Sequence, residues 1–118
     1  MACVLIIDDE EMVRQTLRLS LELSGFDVLE AEDGDQGVRI YEESQPDLVV
    51  ADIKLPGKDG LEVIRELNEK FSDVKVIAIT GFEPDALETA TGLGAVKTFT
   101  KPLHIKEFVE AVQEALGE

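Results

Sequence analysis

A parallel β-sheet covered by helices on both faces is the architecture this 118-residue sequence predicts. Three observations predict it. Short β-branched runs alternate five times with longer stretches of helical apolar period. The first of those runs, Val4–Ile7, is apolar on both strand faces, as a fully buried parallel strand is. The first and third runs end abruptly in acids, Asp8-Asp9 and Asp52.

Val4-Leu5-Ile6-Ile7 is the first strand and ends abruptly in Asp8-Asp9. Val13, Leu17 and Leu21 then recur at i, i+4 and i+8, a helix closed by Ser24-Gly25. A weaker strand covers Asp27–Ala31. Asp33-Gly34-Asp35 turns into a second helix with Val38, Ile40 and Tyr41, stopped before Pro46. Leu48-Val49-Val50-Ala51 is the third strand and ends in Asp52. Pro56-Gly57-Lys58-Asp59-Gly60 reads as a loop, and Leu61, Ile64, Leu67 and Phe71 mark a third helix. Val74–Ile79 is the fourth strand, ending at Thr80-Gly81. Pro84 suits the first turn of a fourth helix, whose propensity Thr89, Thr91 and Gly92 lower. Ala95–Thr100 is the fifth strand, ending in Lys101-Pro102. Ile105, Phe108, Val109, Val112 and Leu116 make the last helix amphipathic. Right-handed crossovers leave few ways to order five such strands. The flavodoxin-like (βα)5 three-layer sandwich, with strand order 2-1-3-4-5, is expected, with its switch point between strands 1 and 3.

Length and composition bound the rest. At this size the chain reads as one domain, residues 1–118, burying roughly 65% of its unfolded surface without disulfides. It is 44% hydrophobic and 31% charged, with a net charge of −15. Such a surface repels phosphate backbones and anionic membranes, so neither nucleic acid nor membrane binding is expected. No apolar stretch nears the ~18 residues of a spanning helix, and no basic-then-apolar leader opens the sequence. The expected compartment is the cytoplasm. Cys3, the single cysteine, excludes an internal disulfide and reads as a buried strand residue.

The unusual residues gather at strand ends. Asp8 and Asp9 close strand 1 and Asp52 closes strand 3, on either side of the switch point where this architecture binds ligands. Thr80 and Lys101 end strands 4 and 5 beside the same crevice. Two carboxylates ~4 Å apart repel by about 4 kcal/mol at an effective dielectric near 20. The cluster therefore calls for a cation, and hard oxygen ligands favour Mg²⁺ or Mn²⁺. A divalent ion with a lysine and a hydroxyl alongside suits phosphoryl transfer, and one carboxylate can itself accept the group. Spacing alone leaves open which aspartate that is. Glu10 and Glu11 read as helix N-terminal acids complementing the macrodipole. His104 reads as the start of the last helix.

Asp8-Asp9, the Asp52-Ile53-Lys54-Leu55-Pro56-Gly57-Lys58-Asp59-Gly60 stretch, Thr80, Gly94-Ala95 and Lys101-Pro102 occur in order over the whole chain. In this the sequence resembles the receiver domains of bacterial two-component response regulators. The resemblance implies that Asp52, heading Asp-x-x-x-Pro-Gly, accepts a phosphoryl group from a phosphohistidine of a sensor kinase or phosphotransfer protein. It implies that Asp9 binds Mg²⁺ directly, Asp8 largely through water, and Lys54 through its backbone carbonyl. Thr80 and Lys101 would hold phosphoryl oxygens, and the bond before Pro102 would be cis. The implied function is phosphorelay signalling by a regulatory domain that catalyses at most its own phosphorylation and dephosphorylation. Its output would be a face of the fourth helix, fifth strand and fifth helix offered to a protein target.

One departure stands out. Many relatives carry an aromatic three residues before the lysine, where this sequence has Thr98; strand alternation turns the adjacent Phe99 to the opposite face. Phe82 is placed to respond in its stead, along with the rest of the Thr80–Pro84 loop. Two rival classes fit less well. A haloacid-dehalogenase-type phosphatase resembles Asp-x-Asp-x-Thr after strand 1, against Asp8-Asp9-Glu10-Glu11-Met12 here. An FMN-binding flavodoxin needs a Ser/Thr/Gly-rich phosphate loop where this sequence has four acids.

Overall fold

The computed structural model describes residues 1–81 and 84–118. Its elements alternate along the chain as β1 (Cys3–Ile7), α1 (Glu11–Leu23), β2 (Asp27–Ala31), α2 (Gly34–Ser44), β3 (Leu48–Asp52), α3 (Gly60–Lys70), β4 (Val76–Thr80), α4 (Pro84–Gly92), β5 (Lys97–Thr100) and α5 (Ile105–Ala115). All four strand pairings are parallel and the order is β2-β1-β3-β4-β5. This is the flavodoxin-like three-layer sandwich expected from the alternating pattern.

Period-two alternation within the apolar runs divides the core between the two faces. Leu5, Ile7, Val49 and Ala51 pack toward α2, α3 and α4, with Val63, Ile64 and Leu67. Val4, Ile6, Val50, Ile77 and Ile79 pack toward α1 and α5, with Leu17, Leu21, Phe108 and Val112. Every residue of β3 and β4 is buried, which is why those runs read as continuously apolar.

Several boundaries differ from the sequence reading, each for a local reason. The fourth strand begins at Val76, because Asp73 takes a left-handed φ of 61° and Val74 only leads into the sheet. The fifth begins at Lys97, because Ala95 N–H still bonds back to the Ala90 carbonyl behind Gly94 (φ 106°). Phe71 is not a helical residue: it caps α3 in extended backbone and packs its ring on Tyr41. Cys3 opens β1 but is only half-buried. Thr98 pairs with Ala78, whereas Phe99 packs against Phe108, ring centroids 6.1 Å apart, on the α5 side. Strand alternation therefore does separate those two side chains. The expectation for Phe82 lies outside the described residues.

Candidate functional site

Sheet order brings the carboxyl ends of β1 and β3 side by side. Asp8 follows Ile7, the last residue of β1, and Asp52 is the last residue of β3. Both are buried, at 1% and 4% exposure. Asp9 and Glu10, on the turn into α1, are exposed. One carboxylate oxygen from each of Asp8, Asp9, Glu10 and Asp52 lies within 4.8 Å of the others.

Lys101 reaches into this cluster from beyond β5. Its ammonium donates to Asp52 Oδ2 at 2.7 Å and to Glu10 Oε1 at 2.9 Å, and lies 3.3 Å from Asp8 Oδ2. The residue is fixed from behind, since its N–H donates to the Thr80 carbonyl at 2.8 Å; the Lys101–Pro102 bond is cis, as expected. Burial opposes the charge on Lys101, but hydrogen bonds to Asp52 and Glu10 outweigh it and raise its pKa above the lysine range. Asp8 is also shifted upward, which for a carboxyl favours the neutral form. Burial chiefly, with the Asp52 charge adding, raises its pKa to about 6, against the Glu10 N–H and Lys101.

Local geometry holds each acid. Asp8 Oδ1 accepts from the Glu10 N–H at 2.8 Å, while Oδ2 is buried without an aligned hydrogen bond. Asp52 Oδ1 accepts from the Lys54 N–H at 2.9 Å. The loop after Asp52 closes where Gly60 N–H donates to the Ile53 carbonyl at 2.7 Å, and Asp59 caps α3 through the Glu62 N–H. A Cβ at Gly60 would collide with the Asp52 carbonyl oxygen and stand 2.6 Å from Ile53 Cα, so only glycine lets the helix start this close to the end of β3.

Four hard carboxylates, one of them with a buried oxygen that has no aligned hydrogen bond, are a donor set suited to a small divalent cation. The structure thus brings together Asp8, Asp9, Asp52 and Lys101, with Lys54 bonded to Asp52 through its backbone. Thr80 is buried at the adjoining end of β4.

Two residues escaped the sequence reading. Glu10 is a member of the cluster and a partner of Lys101, not merely an acid at a helix start. Arg14 is buried behind the site and donates to the Asp8 carbonyl at 2.8 Å. Arg14 shares the inward stripe of α1 with Leu17 and Leu21. A cation set in an apolar stripe is the signal that could have revealed it.

The family model of the response regulator receiver domain matches residues 4–113. The chain belongs to that family. Solved structures agree over nearly the whole fold. A receiver domain protein from Clostridium thermocellum is 31% identical with a TM-score of 0.94, covering 99% of this chain and 95% of that one. A DNA-binding response regulator of the LuxR family from Staphylococcus aureus is 30% identical with a TM-score of 0.91, covering 98% and 99%. A CheY-like receiver domain protein from Methanospirillum hungatei is 25% identical with a TM-score of 0.94, covering 99% and 94%. Receiver domains are the regulatory phospho-acceptors of two-component signalling, and they take their phosphoryl groups from kinases. Among the described residues, no helix is long and apolar enough to cross a membrane.

Proposed function

We propose that this receiver domain, residues 1–118 acting as one unit, accepts a phosphoryl group on Asp52. The donor is a phosphohistidine of a sensor kinase or phosphotransfer protein, which places the reaction in the cytoplasm. The observation that carries the reading is the Lys101 ammonium 2.7 Å from a buried Asp52 at the head of the Asp-x-x-x-Pro-Gly loop. An Asp52 oxygen attacks phosphorus, the P–N bond breaks, and the imidazole nitrogen keeps the bonding pair. The product is an acyl phosphate, which water later hydrolyses. Lys101 follows the charge from the free carboxylate to the phosphoryl oxygens, with the Thr80 hydroxyl as a second donor.

Asp9, Asp8, Asp52 and the Lys54 carbonyl are the groups that would hold Mg²⁺, or Mn²⁺ in its place. Bound there, the ion would neutralise charge on the acids and the transferred group. The buried Asp8 Oδ2, which has no aligned hydrogen bond, supports that assignment. The signal leaves through the α4-β5-α5 face, offered to a downstream protein. Thr98 is a passive member of that face, because its small side chain cannot reproduce an aromatic rotation. The domain catalyses at most its own phosphorylation and dephosphorylation.

Phosphotransfer from an autophosphorylated histidine kinase tests the chemistry. Wild type should acquire a label that hydroxylamine removes, as it cleaves acyl phosphates, and Asp52→Asn should acquire none. A hydroxylamine-stable label, or equal labelling of the variant, contradicts the reading.

A further inference from the structure

Arg14 is the one buried cation among the described residues that does not touch the proposed phosphoryl site directly, yet it is bonded to the site's backbone. It stands on the inward face of α1 among apolar residues, with its side chain 9% exposed. Burying a guanidinium is costly unless its donors are met. Here they are met from two directions. Nη1 donates to the Asp8 carbonyl at 2.8 Å, and Nε donates to Glu30 Oε1 of β2 at 3.2 Å. Nη2 adds a longer ion pair to Glu32 at 3.8 Å. Glu30 is itself shared with Arg18, one turn further along α1.

These bonds complete the fixation of Asp8. Its N–H donates to the Ala31 carbonyl of β2 at 3.1 Å, its C=O accepts from Arg14, and its Oδ1 accepts from the Glu10 N–H. Only Oδ2 remains without an aligned partner, and it faces the other acids and Lys101. A rigid, planar fork suits this task better than an ammonium would, because it grips a carbonyl and a carboxylate at fixed separation.

We infer that Arg14 is a positioning residue for the cation site. It clamps the Asp8-Asp9-Glu10 turn to β2, so that Asp8 and Asp9 present their free oxygens in the geometry a divalent ion needs. This rests on the reading of the acidic cleft as a Mg²⁺ site. Such outer partners typically change metal affinity 10–100-fold when removed. Arg14→Met should therefore weaken Mg²⁺ binding by about tenfold or more. Arg14→Lys should recover part of the loss, since one ammonium can reach the Asp8 carbonyl but cannot also grip Glu30. Glu30→Gln, which leaves the Arg14 bond to Asp8 intact, should weaken binding less than Arg14→Met.

Calorimetric titration with Mg²⁺ on the full chain, well below each variant's melting temperature, separates positioning from folding. A purely structural Arg14 would lower the melting temperature and leave Kd alone. Asp9→Asn is run in parallel. If wild type fails to bind Mg²⁺, or Asp9→Asn binds as tightly as wild type, the metal-site reading falls and this inference falls with it. If Asp9→Asn loses binding while Arg14→Met keeps the wild-type Kd within twofold, the positioning role alone is overturned. Should Arg14→Met fail to fold, the order wild type, Glu30→Gln, Arg14→Lys in rising Kd decides, and equal values for all three overturn the inference.

Discussion

The Lys101 ammonium lies 2.7 Å from Asp52 Oδ2 and 3.3 Å from Asp8 Oδ2, so one lysine serves two buried carboxylates. Removing it leaves both acids buried beside each other without their cation. Lys101→Met should cost roughly 2–4 kcal/mol of stability in the absence of divalent ions, somewhat below the fully buried case because the ammonium is partly exposed. Millimolar Mg²⁺ should restore more stability to the variant than it adds to wild type. Urea titrations with EDTA and with Mg²⁺ measure both. Equal Mg²⁺ increments for the two proteins would contradict the account.

Asp8 gives a pH dependence with a definite sign. Its pKa in the fold is about 6, above the ordinary 3.8. Between those values the native protein holds this proton more tightly than the unfolded chain does. Its contribution to stability is thus fully present below about pH 4 and lost as pH rises through 6. Asp8→Asn cannot lose it. Without divalent ions, the variant's advantage over wild type should open between pH 4 and 6 and level off on the order of 2–3 kcal/mol. Denaturation of both proteins across that range is the check, and a constant difference would refute it.

Gly60 sits against the Asp52 carbonyl and Ile53 Cα with no room for a methyl group. Gly60→Ala should lose about 1–3 kcal/mol through forced backbone movement, and phosphoryl transfer to Asp52 should slow at saturating Mg²⁺. Gly81→Ala, where a Cβ meets nothing within 4 Å, is the control. A Gly60→Ala variant as stable and as reactive as wild type would show the approach to be unimportant.

The sequence carried the fold because parallel strands buried on both faces leave an unmistakable run, as in β3 and β4, and those runs stop at Asp52 and Thr80. Asp8, Asp9, Asp52 and Lys101 were legible for that reason: strand order alone decides which strand ends meet. Strand ends themselves were less legible. Val74 is buried and apolar like the residues of β4, and Ala95 is buried and apolar too, yet the turns at Asp73 and Gly94 keep both out of the ladder. Glu10 was illegible because its role depends on a side chain 91 positions away. Arg14 is marked as buried by its place in the apolar stripe of α1, but its partner is a carbonyl, which the side-chain pattern does not name.

Thr98 and Phe99 bear on how a phosphorylated site would signal. Phe99 is held against Phe108 under α5, and Thr98 lies on the opposite face of the sheet. Amide shifts with a beryllofluoride mimic should therefore change most over residues 81–92, with little at 98 and 99. The short α4, with Thr89, Thr91 and Gly92 in its last turns, is the element least able to resist. Large shifts confined to 98 and 99 would reverse the proposal.

The central claim is that Asp52 carries the phosphoryl group, and intact mass spectrometry tests it most directly. Wild type, incubated with acetyl phosphate and Mg²⁺, should gain the mass of one phosphoryl group. Asp52→Asn should gain none under the same conditions, and EDTA should suppress the wild-type adduct. An adduct that persists undiminished on Asp52→Asn would contradict the account.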